Sequence, residues 1–197
     1  MEPRSAKHRK CKNTQEIPPQ QTPHEQEQKD NSEQFDIKIV TLNVDKGLPK
    51  KSRDIANYLL QNNVDFCTLQ EANLSANCRY TFEKAGYKPI ESQRENGGVI
   101  LIVKEDWFAS ITEVWEPVLG RCLITKFSRG EHTMVLAAVY LQSGLDELPK
   151  ESKARKEAFL ITQAIIAQND LCSSIVALGD FNSTYHPTDR HRASKQC

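Results

Sequence analysis

No stretch of the 197 residues approaches the ~18 unbroken apolar positions that a bilayer-crossing helix needs, so no membrane span is expected. No charge of one sign dominates either. Lys+Arg and Asp+Glu both number 26, with a pI near 7.0, which excludes a strongly basic nucleic-acid wrapper but leaves a local basic groove open. CxxC is also lacking. The six cysteines stand at 11, 67, 78, 122, 172 and 197, without the spacing of zinc ribbons or thioredoxin-like sites. Cys67, Cys122 and Cys172 lie in or beside apolar runs, where a free thiol acts as a small hydrophobe. The opening MEPRSAKHRKCK is basic, but no apolar stretch follows it, so no secretory signal is expected. Reduced thiols in an intracellular compartment are the expectation. Apolar residues are themselves sparse, at 38% of the chain.

That scarcity has a place. The stretch EIPPQQTPHEQEQKDNSEQ (16–34) is Gln, Glu and Pro with hardly an apolar residue, too little to offset the entropy of ordering. Residues 1–35 therefore read as a disordered tail, basic first and then Gln/Glu/Pro-rich. The cluster Arg4, Lys7, Arg9, Lys10 and Lys12 reads as solvated, with a nuclear address or a nucleic-acid arm as alternatives. Residues 36–197 remain as one domain, long enough to bury roughly 70% of its unfolded surface.

From Phe35 onward strand and helix signals alternate. FDIKIVTLNV predicts a strand, with Ile37, Ile39, Thr41 and Asn43 on one face and Val40, Leu42 and Val44 towards the other. KKSRDIANYLLQNN predicts a helix capped by Ser52, with Ile55, Ala56, Leu59 and Leu60 as its apolar stripe. VDFCTLQ is an apolar run ending at Glu71. A second helix is expected from Leu74 to Ala85, stopping at Gly86. YKPIESQ, GGVILIVK, GRCLITKFS and HTMVLAAVYL read as strands, and SITEVWE as a weaker one. KESKARKEAFLITQAIIAQND is the strongest helix, with Ala154, Ala158, Ile161 and Ile165 in register and a Glu151–Arg155 pair in the favourable order. SSIVALGDFN predicts a buried strand, IVAL, ending at Asp180. The whole is one mixed α/β domain without internal repeats.

Polar residues collect at three strand ends: Asn43 and Asp45, Gln70 and Glu71, and Asp180 with Asn182. Carboxylates at the C-terminal ends of buried strands point into the crevice where α/β folds place their sites. Gathering them is costly unless a cation or hydrogen-bond donors compensate. Hard oxygen ligands such as Glu71 and Asp45 suit Mg²⁺ or Mn²⁺ and not zinc.

On TLNVDKG (41–47), LQEA (69–72), GGVILIVK (97–104), AAVYLQSG (137–144) and ALGDFNS (177–183), the chain resembles the endonuclease/exonuclease/phosphatase superfamily. These are metal-dependent phosphodiesterases that include abasic-site and retrotransposon endonucleases. The resemblance covers about 36–190 and implies a four-layer α/β sandwich. It implies Glu71 as principal metal ligand, with Asn43 and Asp45 holding or steering the ion. It further implies Tyr140 at the scissile phosphate, Asp180 orienting or deprotonating the attacking water, and Asn182 on a phosphate oxygen. The chemistry is coherent, because an anionic phosphodiester repels hydroxide until its charge is neutralised and a water is positioned.

Members of that family normally continue past GDFN to a closing Ser-Asp-His run, whose His donates to the phosphate. This sequence ends HPTDRHRASKQC without one, so the C-terminal part of the domain is expected to be missing and activity to be weak or lost. His186, Asp189, Arg190 and His191 read as a solvated basic loop in preference to a substitute pair. The resemblance places Arg190, Arg192 and Lys195 near a nucleic-acid strand. Trp107 and Trp115 are expected to be packing residues, and Lys46, where many relatives carry Gly, to alter the turn after Asp45. The leading expectation is a Mg²⁺-dependent DNA endonuclease of the retrotransposon or repair type. The alternatives are an inactive remnant that binds nucleic acid or a partner, and a sibling phosphodiesterase acting on a lipid or nucleotide.

Overall fold

A computed structural model describes residues 36–95, 97–143, 149, 152–168 and 173–182. The expected 1–35 tail lies outside these residues, as do His186, Asp189, Arg190, His191, Arg192 and Lys195.

β1 (Ile39–Asn43) leads through α1 (Leu48–Gln61) into β2 (Phe66–Ala72), and the two strands pair in parallel. α1 starts earlier than expected, because Pro49 occupies its first turn, where a missing N–H costs nothing. Ser52 therefore lies buried inside the helix and does not cap it. The apolar stripe is Leu48, Ile55, Ala56 and Leu59, while Leu60, one position off it, is 60% exposed. α2 (Ala76–Lys84) begins at Ser75, whose hydroxyl accepts the Cys78 N–H, and Gly86 follows it at φ +82°. β3 (Tyr87–Ser92) and β4 (Gly98–Lys104) are antiparallel, and the first sheet runs β1-β2-β4-β3.

A short helix, α3 (Glu105–Phe108), leads to the second sheet of β5 (Ile111–Val118), β6 (Cys122–Arg129), β7 (His132–Tyr140) and β8 (Ser173–Asp180), in that order. The weaker strand expected at SITEVWE is thus a full strand, β5, of eight residues that start at Ile111 and run on to Val118. α4 (Lys153–Ile166), capped by Ser152, lies between β7 and β8, which pair in parallel. Ala154 and Ile161 form the buried side of α4 as expected, and Glu151 lies outside the described residues. β8 differs from expectation. Ile175, Val176 and Leu178 are half-buried and Ala177 is exposed, because β8 is an edge strand that β7 covers on one side.

Three apolar layers hold the domain. Leu59, Phe82, Ile100 and Ile102 join α1 and α2 to the first sheet, and Phe66, Leu101, Leu123, Phe127 and Leu136 join the two sheets. Ile161 of α4 packs on Ile124, Val135 and Ala137 of the second sheet. The order helix, sheet, sheet, helix is the expected four-layer α/β sandwich. Trp107 is buried against Phe66, and Trp115 packs beside the α4 layer, so both are packing residues. No described helix is long and apolar enough to cross a membrane.

Candidate active site

The parallel pairs β1/β2 and β7/β8 end on one side of the sandwich, and the expected site residues sit at those C-terminal ends. Asn43 closes β1, Tyr140 closes β7 and Asp180 closes β8. Glu71 occupies an irregularity in β2 between Gln70 and Ala72, with a left-handed backbone at φ +52°. A non-glycine residue held there is strained, and such strain persists where its surroundings over-determine it. Here Lys46 N–H donates to the Glu71 carbonyl at 3.0 Å, and Val44 N–H to that of Gln70 at 3.0 Å. Gly97 presses from the other side; a Cβ there would stand 3.2 Å from the Glu71 Cα and carbonyl carbon.

Asn43 is the hub. Its Nδ2 donates to Glu71 Oε1 at 2.9 Å and to Asp180 Oδ2 at 2.8 Å, while its Oδ1 accepts the Asp45 N–H at 2.9 Å. One amide thus bridges two carboxylates from different sheets, and its two donors compensate their proximity. Asn182 N–H donates to Asp180 Oδ1 at 2.9 Å and its Nδ2 to the Leu141 carbonyl at 2.7 Å, leaving one Nδ2 hydrogen for another acceptor. Burial above all, and then the hydrogen bond and charge of Glu71, push the Tyr140 phenol above its ordinary value, against the pull of Arg121. At neutral pH the phenol is a hydrogen-bond donor. Asp45 joins differently from the others. Its backbone, at φ +47°, holds Asn43, and its side chain is exposed.

Three features escaped sequence reading. Beneath Asn43 and Glu71, buried Gln70 donates to Thr41 Oγ1 at 3.1 Å and Thr68 Oγ1 at 3.0 Å, tying β1 to β2. Arg121, in the turn before β6, lays its guanidinium 4.6 Å from the Tyr140 ring centroid. Glu157 of α4 reaches the same region. The alternation of side chains along LNVDK and LQEA signals the first; an arginine in a turn and a glutamate on a helix read as solvated.

The donors fit a hard divalent cation. Glu71 and Asn43 offer carboxylate and amide oxygens, and among the described residues no three His, Cys, Asp or Glu side chains converge as a complete cage. Oxygen donors of this kind suit a hard divalent cation better than zinc, which favours nitrogen and sulfur.

A two-sheet α/β sandwich with carboxylates and amides at its C-terminal strand ends is the fold of phosphodiesterases and nucleases. Residues 40–196 match the Endonuclease/Exonuclease/phosphatase family, and the chain belongs to it. No curated protein sequence matches significantly. Among solved structures, the chain is similar to D. rerio TDP2 complexed with a single-strand DNA product, at 19% identity and a TM-score of 0.58 over 75% of this chain and 61% of that one. It is also similar to an AP endonuclease from Archaeoglobus fulgidus, at 18% identity and a TM-score of 0.59 over 78% and 60%. A mannosyl-6-phosphatase from Bacteroides thetaiotaomicron VPI-5482 gives 18%, 0.58, and 78% and 68%. The chain thus spans about three fifths to two thirds of the length of these structures.

Proposed function

We propose that the chain hydrolyses phosphodiesters with Mg²⁺ or Mn²⁺, and that its substrate is DNA cut internally, in the manner of a repair or retrotransposon endonuclease. The observation that carries this reading is the Glu71–Asn43–Asp180 bridge, which gathers two carboxylates at the shared end of two sheets. Glu71, with Asn43 and a steering contribution from Asp45, would hold the cation. Bound there, the cation would supply charge neutralisation for the phosphodiester. Asp180 orients the attacking water and takes its proton, and the Asn43 amide keeps that carboxylate aimed. The Tyr140 phenol and the free Asn182 Nδ2 hydrogen donate to phosphoryl oxygens as charge develops on them. Arg190, Arg192 and Lys195 would contact the nucleic-acid backbone.

A low rate is part of this reading: among the described residues the one histidine, His132, lies at the opposite end of β7 from Tyr140, and His186 and His191 lie outside them. The second reading is a folded remnant that binds nucleic acid without cutting it. Incubation of the full chain with supercoiled plasmid in Mg²⁺, with and without EDTA, separates the two. Nicking that EDTA abolishes supports the enzyme, whereas gel retardation without nicking supports the remnant. Release of phosphate from a sugar phosphate instead would move the substrate to the phosphatase side of the family.

A further inference from the structure

Glu157 stands on the buried side of α4, its side chain 15% exposed, and three cations share it. Arg94, from the β3–β4 connection, binds it with both terminal nitrogens, at 3.1 and 3.3 Å. Arg121 Nε lies 3.9 Å from Oε2, and Lys153 Nζ 3.8 Å from Oε1, one helical turn earlier. The chain as a whole is neutral, so three cations on one carboxylate are a local surplus of positive charge. The arrangement also leaves a debt: Arg121 Nε and Nη1 are buried with no hydrogen-bond partner. Buried donors in that state are rare and call for an explanation. The backbone fixes where that guanidinium lies. Tyr140 N–H donates to the Arg121 carbonyl at 2.8 Å, so the turn carrying Arg121 is tied to the end of β7, and the guanidinium stacks on the Tyr140 ring.

We propose that Glu157 is a positioning residue: it gathers Arg94, Arg121 and Lys153 and so seats the Arg121 guanidinium on the Tyr140 ring, fixing the phenol that faces Glu71. Glu157 touches no reacting group and acts through Arg121. A planar guanidinium on an aromatic face restricts the ring more than packing alone. This inference rests on the phosphodiesterase reading.

The test compares wild type, Glu157→Gln and Glu157→Asp in plasmid nicking, with kcat and KM separated, and follows the Arg121 Nε–H and Tyr140 ring NMR resonances in the metal-free full chain. Glu157→Gln keeps the shape and removes the charge. Positioning predicts that kcat falls between about 10- and 100-fold with KM no higher. It also predicts that the protected Arg121 resonance is lost, the Tyr140 ring signals shift, and Glu157→Asp restores part of both. A purely electrostatic role predicts a lower KM with kcat unchanged, and that result overturns the proposal. So does an Arg121 Nε–H that exchanges freely in wild type. Should the variant melt early, Glu157→Asp and the wild-type resonances still decide the matter. A wild type with a protected Arg121 that nicks nothing overturns the phosphodiesterase reading, and the positioning role with it.

Discussion

Asn43 does what no carboxylate could do in its place. A third negative charge between Glu71 and Asp180 would repel both, whereas the amide donates to each. Asn43→Ala removes two charge-assisted hydrogen bonds and leaves two carboxylates facing each other. Thermal melts in EDTA should show a loss of about 2 kcal/mol, or roughly 4–8 °C for a domain of this size, and Mg²⁺ should recover part of it. Burial governs two other residues. It pushes the Cys67 and Cys122 thiols up to about 12 from 9.0. Unfolded, these thiols ionise near 9, so the stability tied to their neutral forms is whole below pH 9 and is lost as pH rises towards 12. Urea titrations at pH 8 and 10 should show the lower midpoint at pH 10. Iodoacetamide at pH 8 should leave both cysteines unlabelled in the folded protein. The positions of Asn43, Glu71, Asp180 and Asn182 at strand ends were legible because polar residues there break apolar runs, whereas Tyr140 was pointed to by the family resemblance alone. Asn43's role as a bridge was not, since it depends on Asp180, 137 positions away.

At the scale of elements, the turn after β1 stores strain that a glycine would avoid. Asp45 and Lys46 are consecutive left-handed residues, at φ +47° and +55°. The N–H of Lys46, which glycine retains, holds the Glu71 carbonyl. Lys46→Gly should therefore raise stability by about 0.5–1 kcal/mol without moving Glu71, visible as a later urea midpoint with the same m-value. Gly179 shows the opposite requirement: at φ +146° a Cβ would stand 2.8 Å from the Val139 carbonyl carbon, so the β7–β8 approach at the site needs glycine. Periodicity located nearly every element, because apolar spacing reports which face is covered. It overstated the burial of β8, since an apolar run looks the same in an edge strand as in a central one. It placed the start of α1 too late, because the Pro49 turn outranked Ser52 as a starting signal. Leu74 and Ser75 fall outside α2 for a related reason. Serine with a free backbone N–H downstream caps better than it continues.

Across the whole molecule, the site lies where the two sheets meet at their outer strands. β1 and β8 are both at sheet edges, and the Asn43–Asp180 hydrogen bond joins them. Family and layer order were readable from motifs in sequence order. The pairing of the sheets was not, because register between β1 and β8 is a matter of packing and not of local pattern. The central claim is that this shared edge is a metal-dependent hydrolytic site in which Glu71 and Asp180 divide the work. It is tested most directly by nicking of supercoiled plasmid in Mg²⁺ by wild type, Glu71→Ala and Asp180→Asn, each verified to melt cooperatively. The account predicts nicking by wild type that EDTA removes and that each substitution lowers by about 10²–10⁴. Nicking that survives Glu71→Ala, or a cooperatively folded wild type that nicks nothing in Mg²⁺ or Mn²⁺, would contradict it.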